Sequence, residues 1–133
     1  MICQILTVWI ALTVPDHVHH KAAKQYWTST ASPHLAFVSH TALGFVRIIS
    51  QLPSADKKSF DSKQAWHLLS GWLADNSVRM VPEPAETFKV SQKLAEANSI
   101  NQTGWSDAYL ASISIASGMR LVSFDRDFTD LAL

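Results

Sequence analysis

A three-layer α/β/α fold around a mostly parallel sheet is the architecture this 133-residue sequence predicts. Two observations predict it. Short apolar runs of strand character alternate with longer amphipathic segments along the chain, the pattern of strands joined by crossover helices. The first of those runs is almost continuously apolar and partly β-branched, as a central parallel strand covered on both faces must be. At this length the chain most simply forms one domain, residues 1–133, with room for a real core.

The elements follow in order. Residues 2–8 read as the first strand, and residues 9–13 as a helical turn or loop punctuated by Pro15-Asp16. Residues 17–30 read as an amphipathic helix, with Ala22, Ala23, Tyr26 and Trp27 at helical spacing. After a polar break containing Pro33, residues 35–38 form a second strand. Ser39 or Thr41 is placed to cap a helix reaching about Gln51, whose apolar face is Leu43, Val46, Ile48 and Ile49. Residues 52–61 are a polar loop, and residues 62–75 a helix carrying Trp66, Leu69 and Leu73 on one side. Residues 78–81 make a third strand, ended by Pro82 and Pro84, and residues 85–98 a further helix. Residues 106–117 complete the helices, with Ser106 as N-cap and Gly118 at the C-terminal position that favours a left-handed residue. Residues 121–124 are the fourth strand.

Composition narrows the function. Eleven basic and eleven acidic side chains cancel, so there is no global electrostatic pull toward nucleic acid. That argues against a non-specific DNA-coating role but leaves a nuclease open, since an acidic site can be offset by local basic groups. The single Cys3 excludes an intramolecular disulfide framework, fits a reducing cytoplasm, and makes no cysteine zinc site by itself. The apolar start lacks a positive leading region and a small-residue cleavage site, and is too short to span a membrane. Five tryptophans and six phenylalanines exceed what a core of this size needs; they either pack inside or anchor an interface.

The chemistry concentrates in the last third. Asp107 opens a helix, and the strand after it delivers Asp125 and Asp127. In a parallel sheet the strand C-termini and helix N-termini share one edge, so the three carboxylates are brought to the same side. Carboxylates without cysteine or histidine partners suit a hard divalent cation, magnesium or manganese. Arg47 and Arg126 are candidates for RNA phosphates through a bidentate fork, or else they pair with neighbouring carboxylates. Ser106 and Ser123 either hydrogen-bond to water at such a site or satisfy a helix start and a strand end. His17, His19 and His20 lack metal-ligand spacing and read as local hydrogen-bonding groups or as lining of a groove entrance. His40 follows the second strand and either faces the acidic edge or is an ordinary loop residue.

Five motifs in order carry a family resemblance: Trp9-Ile10-Ala11-Leu12, Pro15-Asp16-His17-Val18-His19-His20, Thr41-Ala42-Leu43-Gly44-Phe45-Val46-Arg47, Trp105-Ser106-Asp107-Ala108-Tyr109-Leu110-Ala111, and Leu121-Val122-Ser123-Phe124-Asp125-Arg126-Asp127-Phe128. Together they resemble the PIN-domain family and, within it, the VapC-type toxins of bacterial toxin–antitoxin pairs. The resemblance implies a magnesium- or manganese-dependent endoribonuclease, cytoplasmic, inhibited by a small cognate antitoxin and forming a homodimer. Asp107 then matches the family's third acidic position and Asp125 the fourth, with Asp127 close by. Asp107 and Asp125 would hold the metal; Arg126, Arg47 and Ser106 would contact substrate.

Two positions depart from the family pattern. Aligned on Trp9-Ile10-Ala11-Leu12, the first-strand aspartate is replaced by Ile5, with Thr7 at the asparagine position; the helix glutamate falls at Gly44. Three explanations compete for Ile5: a catalytically impaired module that still dimerises and binds an antitoxin, an N-terminus displaced from the natural start, or compensation by Asp16. Asp16 is more simply a cap of the helix that follows it.

Overall fold

The computed structural model describes residues 2–4, 6–29, 35–52, 60–98 and 104–122, with backbone alone for 2–4 and 29. Four strands, β1 (Ile2–Gln4), β2 (Leu35–Phe37), β3 (Val78–Met80) and β4 (Arg120–Val122), form one parallel sheet in the order β3-β2-β1-β4. Six helices accompany them among the described residues: α1 (Leu6–Thr13), α2 (His20–Ser29), α3 (Ser39–Ile49), α4 (Ser62–Leu73), α5 (Thr87–Ala97) and α6 (Trp105–Ser117).

Alternation along β2 divides the interior in two. Leu35 and Phe37 face a core built with Trp9 and Ile10 of α1, Phe45 and Ile49 of α3, and Leu69 of α4. Ala36 and the adjoining Val38 face the other core, with Leu94 of α5 and Leu110, Ala111 and Ile113 of α6. Helices therefore cover both sides of a parallel sheet, as the sequence predicts. Aromatic stacking consolidates the first core: Trp9 lies on Phe37 with centroids 4.0 Å apart, and Trp72 meets Trp9 edge-on at 5.4 Å. Trp72 also donates its Nε1–H to Thr13 Oγ1 at 2.8 Å, tying α4 to the end of α1.

Several boundaries differ from the sequence reading, for identifiable reasons. β1 ends at Gln4 and α1 takes over at Leu6, where a strand through residue 8 is expected. Val8, Trp9, Ile10 and Ala11 are all buried, and a segment buried on every side has no period to distinguish helix from strand. α2 starts at His20, not at residue 17, so Asp16 lies before its first turn and does not cap it. Val38, not Ser39 or Thr41, is the α3 N-cap. Thr41 instead turns back: its buried Oγ1 accepts the Val38 N–H and donates to the Val38 carbonyl, both at 3.0 Å. α4 is capped by a reciprocal pair, Asp61 accepting from the Gln64 N–H at 2.7 Å and Gln64 Oε1 from the Asp61 N–H at 2.9 Å. Its buried face is Ala65 and Leu69, while Trp66 is 49% exposed. The tryptophans thus divide between core and surface. Gly104 precedes α6 in place of Ser106, and Gly118 closes it at φ 71°, the left-handed conformation the sequence predicts.

Candidate functional site

A cleft of about 350 Å³ opens at the C-terminal edge of the sheet. It is bounded by the start of α1 (Leu6, Thr7), the first three turns of α3 (His40, Thr41, Leu43, Gly44, Arg47) and the start of α6 (Ser106, Asp107, Leu110). The topology explains its position. Connections leave β1 toward β2 on one side, and β4 pairs on the other, so chain direction switches at β1 and opens a crevice beyond its carboxyl end.

Asp107, Arg47 and Ser106, placed in one site by the sequence reading, all line this cleft. Asp107 is half-buried in the first turn of α6, where the helix dipole favours an anion. Arg47 is exposed on α3. Ser106 is not the helix cap; its Oγ lies 2.6 Å from His40 Nε2 and ties α6 to the start of α3. Asp125, Arg126, Asp127 and Ser123 lie outside the described residues, as does Ile5. β4 leads toward that terminal stretch, and its Val122 pairs with Gln4 of β1, immediately before Ile5 and the cleft-lining Leu6.

Two residues join the site that the sequence reading passed over. The Glu83 carboxylate accepts the Tyr109 hydroxyl on Oε2 at 2.7 Å and the His40 backbone N–H on Oε1 at 3.2 Å. It bridges α6 to the first turn of α3 behind the cleft wall. Burial pushes the Tyr109 hydroxyl up to about 12, reinforced by its hydrogen bond to Glu83 and by that carboxylate's charge. The signal available in the sequence was Glu83 itself, held between Pro82 and Pro84 at a strand end. His40 belongs to the acidic edge, which resolves its two readings.

The apolar side of the cleft has its own logic. A Cβ built on Gly44 would come within 2.9 Å of Leu6 Cδ2, so Leu6 lies directly over the position where a larger side chain would emerge. Among the described residues, Asp107 is the carboxylate lining the cleft, and no group of three His, Cys, Asp or Glu is placed to hold a metal ion. Of the other polar groups lining it, Thr41 Oγ1 is buried and engaged by Val38, and Ser106 Oγ is engaged by His40. A single lining carboxylate suits only a hard cation that keeps most of its water and relies on substrate oxygens.

The histidines near α2 are used locally. His17 Nδ1 accepts the His19 N–H at 3.0 Å, and His20 Nδ1 donates to the Ala11 carbonyl at 2.7 Å. Burial, with the nearby charges of His19 and His20, holds His17 below its usual value.

Comparison with known proteins gives consistent matches. The family model described as PIN domain matches residues 7–133. Ribonuclease VapC41 of Mycobacterium tuberculosis is 26% identical over 127 residues, covering 92% of this chain and 87% of that protein. Ribonuclease VapC39 of the same organism is 29% identical over 134 residues, covering 96% and 90%. Among solved structures, Mycobacterium tuberculosis VapC20, described as a Sarcin-Ricin loop cleaving toxin, superposes with a TM-score of 0.74 at 18% identity, covering 97% of this chain and 93% of that one. VapBC2 from Rickettsia felis, bound to a DNA fragment from their promoter, gives a TM-score of 0.65 at 15% identity, with coverage of 99% and 94%.

Proposed function

The chain belongs to the PIN domain family, and we propose that it is a VapC-type endoribonuclease, the toxin of a toxin–antitoxin pair. The observation that carries this reading is the cleft itself. It brings Ser106 and Asp107 of α6 together with Arg47 of α3 at the sheet's topological switch, in a chain whose relatives are named as ribonucleases. In this reading residues 1–133 act as one domain in the cytoplasm, as a homodimer held in check by a small antitoxin protein; no helix among the described residues is long and apolar enough to cross a membrane.

Asp107 and Asp125 would hold a divalent cation, magnesium or manganese, with Asp127 assisting. Bound there, such an ion supplies Lewis acidity that offsets phosphate charge and makes water a stronger nucleophile at neutral pH. The chain's own groups do the rest. Arg47 and Arg126 fork onto RNA phosphates and fix the backbone across the cleft. Ser106, held by His40, presents its hydroxyl beside Asp107. Leu6, Leu43 and Leu110 supply the apolar part of the cleft lining.

A second reading is favoured by one observation. Gly44 leaves no room for a glutamate without displacing Leu6, and the sequence carries Ile5 where the family pattern has an aspartate. Of the two departures from the family pattern, Ile5 is the serious one and Gly44 the mild one. A catalytically impaired module that retains antitoxin binding and dimerisation accounts for them. Cleavage of a labelled RNA mixture in magnesium or manganese separates the readings. Cleavage by the native chain that is lost in Asp107→Asn supports the enzyme; cleavage appearing only in Ile5→Asp supports the impaired module.

A further inference from the structure

The two helices that wall the cleft belong to opposite sides of the sheet. α3 packs through Phe45 and Ile49 into one core, and α6 through Leu110, Ala111 and Ile113 into the other. Arg47 rides on the first helix and Asp107 on the second, so their spacing depends on what joins α3 to α6 beyond the strand ends. His40 stands at that junction, and three groups hold it. Its backbone N–H donates to Glu83 Oε1 at 3.2 Å, its ring meets Tyr109 edge-on with centroids 5.4 Å apart, and its Nε2 lies 2.6 Å from Ser106 Oγ. Tyr109 is held in turn, its hydroxyl donating to Glu83 Oε2 at 2.7 Å. The backbone and the ring of His40 are therefore braced independently of the contact that Nε2 makes.

Ser106 is used unlike two other serines of its helix. Ser112 and Ser117 donate to the carbonyls of Ala108 and Ile113, one turn back, which closes each hydroxyl onto α6 itself. Ser106 does not cap α6, and its Oγ instead meets the imidazole of a residue 66 positions away in the chain. An exposed serine hydroxyl otherwise turns among its rotamers; here one direction is set. A hydroxyl has one donor and two acceptor sites. Whichever partner carries the shared proton, Ser106 keeps a further site for a phosphate oxygen or its water.

We propose that His40 is a positioning residue of the endoribonuclease site: through Nε2 it fixes the Ser106 hydroxyl beside Asp107 and holds the start of α6 in register with Arg47 on α3. This inference rests on the endoribonuclease reading and adds to that site the group that aligns its two walls. Alignment of this kind acts on rate more than on affinity, because the transition state is the state that demands the geometry.

The test is steady-state cleavage of a labelled RNA that the native chain cuts, in manganese, with kcat and KM read separately. His40→Ala should lower kcat on the order of 10²-fold, the cost of a misplacement of about 1 Å, and leave KM near its native value. His40→Phe keeps a ring against Tyr109 but has no Nε2; it should be as slow as His40→Ala and melt at the native Tm. His40→Gln, whose amide nitrogen reaches about where Nε2 lies, should recover most of the rate. Ser106→Ala should slow cleavage as much, and His40→Ala added to it should cost nothing more, because the two groups act as one unit. A native kcat in His40→Phe, losses that multiply in the double variant, a change in KM alone, or a rate that His40→Gln leaves as low as His40→Ala each overturns the positioning role. Where cleavage appears only with Ile5→Asp, the same variants are compared in that background. If neither chain cuts RNA, the endoribonuclease reading falls and this inference with it; if RNA is cut and His40→Ala cuts equally well, this inference alone falls.

Discussion

Removing the Glu83 carboxylate tests how the cleft wall is held together. Two groups depend on it, the Tyr109 hydroxyl at 2.7 Å and the His40 amide at 3.2 Å. A hydrogen bond to a charged acceptor contributes about 1.5–3 kcal/mol, and this one is only partly buried, so the lower end applies. The longer amide bond adds about 0.5 kcal/mol. Glu83→Ala should therefore cost about 2 kcal/mol. With an unfolding entropy of about 2.1 cal/mol/K per residue, that loss lowers Tm by roughly 7 °C, measurable by calorimetry. Glu83→Gln separates charge from shape. Its amide oxygen still accepts from Tyr109, but the charge that helps to raise the hydroxyl is gone. Ultraviolet titration of the phenol should show Tyr109 moving down from about 12 while staying above 10.0, because burial, the largest cause, remains. The pH dependence has a definite sign. The folded phenol holds its proton to higher pH than the unfolded one, so its contribution is complete below 10.0 and is lost as pH rises toward about 12. A Tyr109 titration identical in native and Glu83→Gln proteins would refute the bridge.

Three further predictions follow from other parts of the fold. Thr41→Val keeps the side-chain shape but strands the buried Val38 N–H, and should cost about 1–3 kcal/mol in urea unfolding. Trp9→Ala empties the stack on Phe37 and the contact with Trp72, and should cost about 3–5 kcal/mol, enough to leave little folded protein at 37 °C. Arg47→Ala, exposed on α3, should change stability by less than about 0.5 kcal/mol. The same variant should weaken RNA binding and reduce the slope of log affinity against log salt by about 0.7.

How much was legible in the sequence can be traced to particular residues. The alternation of elements predicted the layers because crossover helices leave a periodic apolar stripe, as at Phe45 and Ile49 of α3. Gly118 predicted the end of α6 because only a residue without Cβ sits easily at positive φ. The β1–α1 junction was not legible, since a helix buried on all sides, as at Val8, Trp9, Ile10 and Ala11, carries no period. Asp107, Arg47 and Ser106 were placed in one site by helix-start and motif logic, and the cleft gathers them. Glu83 and the role of Tyr109 were not, because a bridge between residues 26 positions apart leaves no local pattern. His40 stood between two readings for the same reason, as its partner Ser106 is distant in the chain.

The most direct test of the central claim joins manganese calorimetry to RNA cleavage, on the native chain and on Asp107→Asn. The account predicts that the native chain binds the ion and cuts RNA, that chelation abolishes cutting, and that Asp107→Asn loses both. Cleavage by Asp107→Asn at the native rate, or native cleavage undiminished by chelator, would contradict it.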